Sequence, residues 1–284
     1  MKSAHVVEIV TPKKFILNGL WFGDTKPKKV VIWIHGLGSS VFSKQTIIEN
    51  LAVGDTAVLS FNNRGHDCVV RMRDTTGKKN IIAGAAFEKF EYCVDDIQGA
   101  IDYVQSHGIT EIYLAGHSTG CQKAIYWASK KGTDVKGIVL LAPMSDYAGA
   151  VHIHSAKKIA QLVKHAQSMI KSGTSDQLLP RKIWSEEPNS PERFISLYTP
   201  DSIEQSIFSY FDSRIPKIYS KVVIPILVVF AEKDEFADRL AIEIENWFKR
   251  FAKTSIVSSI ISGADHGFKG SEVRVALEIQ NFIK

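Results

Sequence analysis

The pentapeptide Gly116-His117-Ser118-Thr119-Gly120 sets a hydroxyl between two glycines, each two residues away. It fits G-x-S-x-G, the pattern of a nucleophile elbow, in which a sharp strand-to-helix turn presents a strained, exposed serine. The glycines keep that turn free of clashes. As a bare pattern the motif is weak, and its context gives it weight. Residues 111–115 read as a buried strand and residues 121–130 as a helix, so the amide dipoles of the helix start point at the place where negative charge develops. The chemistry implied is acyl transfer through a covalent serine.

A serine hydroxyl is a weak nucleophile at neutral pH and needs a base. Of nine histidines, His266 has the right position, in Gly263-Ala264-Asp265-His266-Gly267-Phe268, after the last strand-like run and before the last helix-like one. His5, His107, His152, His154 and His165 fall where surface roles are expected, and His117 faces the pocket or the sheet rather than acting as base. An acid should follow the penultimate strand, between serine and histidine in chain order. The loop Ala231-Glu232-Lys233-Asp234-Glu235-Phe236 follows the run PILVVF, and Asp234 has the offset of a group that turns back toward His266. It would fix the tautomer and stabilise the imidazolium. Glu232, Glu235 and Asp238 are rivals in the same loop, with capping or solvated roles as their default. Asp146, after the sixth strand, is a more distant rival. His35-Gly36-Leu37-Gly38 follows the run VVIWI, where one oxyanion-hole amide is expected. The backbone N–H groups of Leu37 and Thr119 are the candidate pair. His35 itself reads as a loop-shaping residue, and for Arg64 a structural ion pair is favoured over substrate contact.

These groups need a scaffold. Strand-like runs occur at 5–10, 15–22, 30–34, 57–61, 111–115, 135–141, 223–230 and 255–261. Several are almost wholly apolar, as expected of strands buried on both faces of a parallel sheet. Helical stripes alternate with them. Val94, Ile97, Ile101 and Val104 form one, and Cys121, Ala124, Ile125 and Ala128 another. Phe236, Leu240, Ile244 and Trp247 form a third, and Val275, Ile279 and Phe282 a fourth. The first two runs, joined by a short polar turn, predict an antiparallel hairpin at one sheet edge. The interval 147–217 breaks the rhythm. It is polar, contains several prolines, and reads as a cap or lid inserted into one domain spanning 1–284. Within it, Ser190-Pro191-Glu192 predicts a helix N-cap followed by proline at the first helical position.

With 45% apolar and 23% charged residues, the chain of 284 residues has an ordinary globular composition. The net charge of +5 comes from scattered lysine pairs, which argues against nucleic-acid binding and leaves at most a mild pull on anionic substrates. Three unclustered cysteines argue against a disulfide framework and a zinc site. The N-terminus lacks a secretory h-region, and no apolar run reaches the ~18 residues of a membrane span. A cytoplasmic protein, monomeric or homodimeric, without membrane partner, is expected.

With the elbow, the HGLG loop, the AEKD loop and the GADHGF turn in this order, the sequence resembles the α/β-hydrolase superfamily over nearly its whole length. The resemblance implies an α/β fold: a mainly parallel eight-stranded sheet, helices on both faces and a cap after the sixth strand. The stretches GHSTGCQ, LAPMSDY and SPERFISLY are similar to a narrower group that contains fungal siderophore-ester hydrolases, and the chain also resembles general carboxylesterases with a cap. No aspartate replaces the nucleophile, unlike in the dehalogenase and epoxide-hydrolase branches. The function implied is hydrolysis of a small-molecule carboxylic ester by a Ser118–His266–Asp234 triad, with neither cofactor nor metal. The alternatives are thioester or amide cleavage or acyl transfer on the same triad, or a catalytically silent binding module.

Overall fold

The computed structural model describes residues 3–132 and 134–284. Met1, Lys2 and Thr133, which fall within the N-terminal reading and the single-domain span above, lie outside the described residues. The residues of strand β3 (Lys29–Ile34) part alternately to the two faces of the sheet: Val30, Ile32 and Ile34 enter one core, Val31 and Trp33 the other. This is the period-two geometry of a strand covered on both sides.

The main sheet has eight strands. They are β1 (Ala4–Val10), β2 (Ile16–Phe22), β3, β4 (Thr56–Phe61), β7 (Glu111–His117), β8 (Gly137–Leu141), β9 (Ile226–Ala231) and β10 (Ile256–Ile261), in the order β1-β2-β4-β3-β7-β8-β9-β10. The β1–β2 and β2–β4 pairings are antiparallel, and the others are parallel. Each predicted run is a strand of this sheet, and the edge hairpin is present. The run at 223–230 begins late, at Ile226, because Pro225 cannot donate to a ladder.

On one face lie α2 (Cys93–Ser106), α3 (Thr119–Lys131) and α7 (Ala241–Phe251), and on the other α1 (Gln45–Leu51) and α8 (Glu272–Phe282). Chain connections run from β3 outward to β4 and from β7 outward to β8. The carboxyl ends of β3 and β7 therefore lie side by side at a switch point, where open α/β sheets bind ligands.

Helices α4 (Asp146–His154), α5 (Ala156–Lys171) and α6 (Pro191–Tyr198) occupy a little under half of the interval 147–217. They share a small core of their own that includes Ile159, Leu162, Trp184 and Phe194. The end of the interval behaves differently: Ile207, Phe208 and Tyr210 join the main core. The predicted cap at Ser190 is present, its Oγ accepting from Arg193 N–H at 3.3 Å with Pro191 at the helix start.

The sequence reading missed three features. Helix α1 is only seven residues long. Strands β5 (Val70–Arg73) and β6 (Asn80–Ala83) form a separate, partly exposed hairpin of four residues a side. The third helical stripe also starts too early. Helix α7 begins at Ala241, with Leu240 as its N-cap residue, whose N–H is taken by Glu243 Oε2 at 3.0 Å, so Phe236 stays in the preceding loop. Among the described residues no helix is long and apolar enough to cross a membrane.

Candidate active site

Ser118 stands between β7 and α3 at φ 55° and ψ −126°, a left-handed conformation that costs a serine strain. The surrounding glycines are required by space. A Cβ on Gly116 would stand 2.4 Å from Gly120 O, and one on Gly120 would stand 2.2 Å from Ile34 O. A Cβ on Gly36 would stand 2.9 Å from Ser118 Cβ, so the HGLG loop and the nucleophile turn are in direct contact. Ser118 N–H donates to Leu141 O at 3.0 Å, which ties the turn to β8. Thr119 opens helix α3, where a residue's N–H has no carbonyl one turn earlier to bond. Leu37 and Ser118 line the same cavity.

The loops after β9 and β10 are zipped together. Glu232 N–H donates to Ile261 O at 3.1 Å, and Lys233 N–H to Ala264 O at 2.9 Å. This pairing brings Asp234 to His266, with Asp234 Oδ2 2.8 Å from Nδ1. A carboxylate only accepts, so Nδ1 carries the proton and Nε2 is left as the basic lone pair. The second oxygen, Oδ1, accepts from Phe236 N–H at 3.0 Å, which holds the carboxylate still.

The rival acids are elsewhere engaged. Glu235 accepts the backbone N–H of His266 at 2.9 Å. Glu232 accepts from Ser262 Oγ and from Gly263 N–H. Asp238 pairs with Arg239 at 2.7 Å. Asp146 Oδ2 accepts from the side-chain amides of Gln122 and Gln205 at 3.2 and 3.1 Å. Burial, with Glu204 nearby, pushes Asp146 up to about 7.

Two further histidines flank the site. His117 Nε2 is 2.9 Å from His266 O and therefore carries a proton, since a carbonyl only accepts. Burial, with the charges of His266 and Lys44 nearby, keeps this imidazole well below its ordinary range, so it supports the His266 loop as a neutral donor. The His117 and Phe236 rings lie 5.1 and 5.0 Å from that of His266. Phe236 is a site residue that the sequence reading placed on a helix. His35 shapes its loop, as expected: Nδ1 bonds Gly36 O at 2.8 Å, and burial and the neighbouring Lys123 lower its pKa to about 3.

Ser118 and His266 open into one cavity of about 450 Å³. Helix α4 and the stretch from Trp184 to Tyr198 supply one wall, including Gly149, Ala150, Ile153 and Tyr198. His154, expected at the surface, belongs to this wall. Ala150, Ile153 and His154 share a helical face turned to the cavity, and the His154 ring packs 5.2 Å from that of Trp184.

Arg64 has the structural role expected of it. Its Nε is 2.6 Å from Asp96 and its other arm meets Asp95, while the guanidinium packs 4.9 Å from the Phe15 ring centre and 4.7 Å from that of Tyr92. A second buried ion cluster escaped the sequence reading. Lys123 on α3 meets Glu88 at 2.5 Å, Glu88 meets Arg193 on α6 at 3.0 Å, and Arg193 meets Glu204 at 2.5 Å. These four residues come from four separate segments, and no local sequence pattern pairs them.

The family model described as "Protein of unknown function (DUF1749)" matches residues 87–283. No curated protein matches the chain by sequence. Among solved structures, the siderophore hydrolase EstB from Aspergillus fumigatus is similar at 18% identity and a TM-score of 0.69, over 100% of this chain and 97% of that one. The esterase Pf2001 from Pyrococcus furiosus is 17% identical with a TM-score of 0.65, over 100% and 92% of the two chains. Est1E from Butyrivibrio proteoclasticus, solved with ferulic acid, is 18% identical with a TM-score of 0.64, over 98% and 97%. The sheet order, the two helical layers and these likenesses are those of the α/β-hydrolase fold.

Proposed function

The chain belongs to the DUF1749 family, and on that premise we propose that it is a serine hydrolase of carboxylic esters, with Ser118 as nucleophile, His266 as general base and Asp234 as the orienting acid. The observation that carries the reading is the 2.8 Å bond to Asp234 from Nδ1 of His266, a histidine that lines the same cavity as a strained Ser118. A serine forced to a left-handed φ in a buried turn is the kind of strain kept for function. The named esterases and the siderophore hydrolase of the same fold agree with an ester-cleaving role, at 17–18% identity.

In the proposed reaction His266 Nε2 removes the proton of Ser118 as its Oγ attacks the ester carbonyl. Asp234 stabilises the imidazolium that forms, and the N–H groups of Leu37 and Thr119 receive the oxyanion. His266 then protonates the leaving alcohol, and the acyl group remains on Ser118. A water, deprotonated by His266, attacks this acyl-enzyme, and loss of the acid restores the serine. The segment within 147–217 that walls the cavity is proposed to cap it and to select substrates.

The test is hydrolysis of p-nitrophenyl esters from acetyl to long-chain acyl by wild type and Ser118→Ala. Activity in the wild type that is lost in the variant is the expected result. Equal activity in both, or no labelling of the wild type by a fluorophosphonate, would rule the reading out.

A further inference from the structure

The backbone around His266 is held at three successive points by side chains from three other segments. His266 N–H donates to Glu235 at 2.9 Å, His266 O accepts from His117 Nε2 at 2.9 Å, and Gly267 O accepts from Lys44 Nζ at 2.9 Å. The first two partners come from the loop after β9 and from the end of β7, which already meet at the site. Lys44 comes from the segment that follows β3, 223 residues away from Gly267 in sequence. That segment also carries Leu37, and Leu37, Ser39, Ser43 and Lys44 line the cavity together with Ser118 and His266. The contact therefore ties the oxyanion loop to the loop of the base.

Both ends of this contact are strained. Lys44 has a left-handed backbone, φ 57° and ψ 29°, at the start of α1, and Phe268, the neighbour of Gly267, is left-handed at φ 57° and fully buried. Such conformations disfavour residues with a Cβ and persist where the surroundings over-determine them. The segment that carries Lys44 is anchored independently of it: Val41 N–H donates to Asn62 Oδ1 at 2.8 Å, and Gln45 Nε2 donates to Val41 O at 2.6 Å. Glycine at 267 leaves room for the ammonium, which lies 3.0 Å from where a Cβ would stand. Burial lowers the Lys44 pKa from its ordinary value, against the pull of Asp265, Glu235 and Glu272. None of these carboxylates forms a close ion pair with it among the described residues, and its bond goes to the carbonyl instead. A lysine used in this way fixes the position of a backbone group, and the group it fixes is next to His266.

We propose that Lys44 is a positioning residue of the site: through Gly267 O it sets the His266 imidazole relative to Ser118 and to the Leu37 N–H, and it acts without binding the ester. The proposal rests on the serine hydrolase reading of the same site and adds a member to its machinery.

The test uses the full chain and compares Lys44→Met, which keeps the reach of the side chain but not its donor, with Lys44→Arg, which keeps a donor and the charge. The substrate is p-nitrophenyl acetate, and active sites are counted by fluorophosphonate labelling. In Lys44→Met, kcat should fall about 10–100-fold, the effect of losing one bond from a charged donor and of displacing a base by about 1 Å. KM should stay within about twofold, because no substrate contact is lost. Lys44→Arg should return kcat to within about fivefold of wild type, its fork being a different shape from an ammonium. A residue that only supported the fold would lower the number of active sites and leave kcat per site unchanged. A Lys44→Met kcat within about twofold of wild type, a loss taken in KM, or a Lys44→Arg as slow as Lys44→Met would overturn the proposal. Proton NMR tests it apart from turnover. The wild type should show a low-field signal from the His266 Nδ1–H held by Asp234, absent from His266→Ala, and Lys44→Met should broaden or lose it while Lys44→Arg keeps it. A signal missing from the wild type, or equally sharp in Lys44→Met, would also overturn the proposal. A wild type that leaves every ester intact counts against ester hydrolysis, and the NMR comparison still decides the role of Lys44.

Discussion

Arg193 on α6 and Glu88, between β6 and α2, lie 3.0 Å apart with both side chains buried, and Lys123 on α3, the helix that follows Ser118, completes the contact at 2.5 Å from Glu88. The wall of the cavity is thus fastened to that helix by charges that water does not reach. Removing one member of a buried ion cluster leaves the others uncompensated, which typically costs about 3–5 kcal/mol. Arg193→Met should therefore lower the unfolding free energy by about that amount in urea. The double variant Arg193→Met/Glu88→Gln should cost clearly less than the two single losses added together. Additive losses would show that the residues are not coupled.

Asp234 and Asp146 both follow strands at the carboxyl edge of the sheet, but only Asp234 bonds His266. Asp234→Asn keeps the shape and removes the acceptor that fixes Nδ1–H, so kcat for a p-nitrophenyl ester should fall by about 10³–10⁴-fold. Glu235→Gln retains an acceptor for the His266 backbone N–H and should cost less than about tenfold. A larger loss from Glu235→Gln than from Asp234→Asn would reverse the assignment.

The parts of the molecule legible in the sequence are those set by periodicity and by chain-local turns. VVIWI and PILVVF announce buried parallel strands because both faces are covered, and G-x-S-x-G announces its turn because only glycine fits 2.2–2.4 Å from a backbone oxygen. Ser118, Asp234 and His266 could be proposed from the sequence because each follows a strand, β7, β9 or β10, of the parallel part of the sheet. Other features depend on contacts between distant segments. Phe236 has helical spacing with Leu240, yet the loop holds it against His266, because Asp234 Oδ1 takes its N–H. His154 has no sequence mark that separates it from a surface histidine, and its place follows from which face α4 turns inward. The cluster of Glu88, Lys123, Arg193 and Glu204 has no local signature at all.

Gly120 is the residue with the least room near the nucleophile, with Ile34 O 2.2 Å from an added Cβ. Overpacking against backbone cannot be relieved by a rotamer change, so Gly120→Ala should destabilise the fold by about 3 kcal/mol and abolish esterase activity. At Gly54, which is at positive φ but has nothing within 4 Å of an added Cβ, alanine meets only the strain of the left-handed conformation, about 1–2 kcal/mol, and activity should persist. Thermal melts and rates on the two purified variants check the pair. A Gly120→Ala protein as stable as wild type would show that the strand β3 backbone can yield.

His35 supplies an acid-sensitive term to stability whose sign follows from its surroundings. Burial and the adjacent Lys123 hold its folded pKa at about 3, against 6.5 for the free side chain. Above pH 6.5 both the folded and the unfolded imidazole are neutral, and the contribution of His35 is complete. As pH falls from 6.5 toward 3, the unfolded chain takes up a proton that the folded chain refuses, so stability declines by up to about 1.4 kcal/mol per pH unit from this residue. His35→Asn removes that proton uptake. Urea unfolding of wild type and variant at pH 7, 6 and 5 should show the wild type losing stability faster on acidification, with the gap between the two changing by about 1–2 kcal/mol over the series. Parallel losses in both proteins would mean that His35 is charged in the fold, and the buried neutral ring beside the oxyanion loop would have to be abandoned.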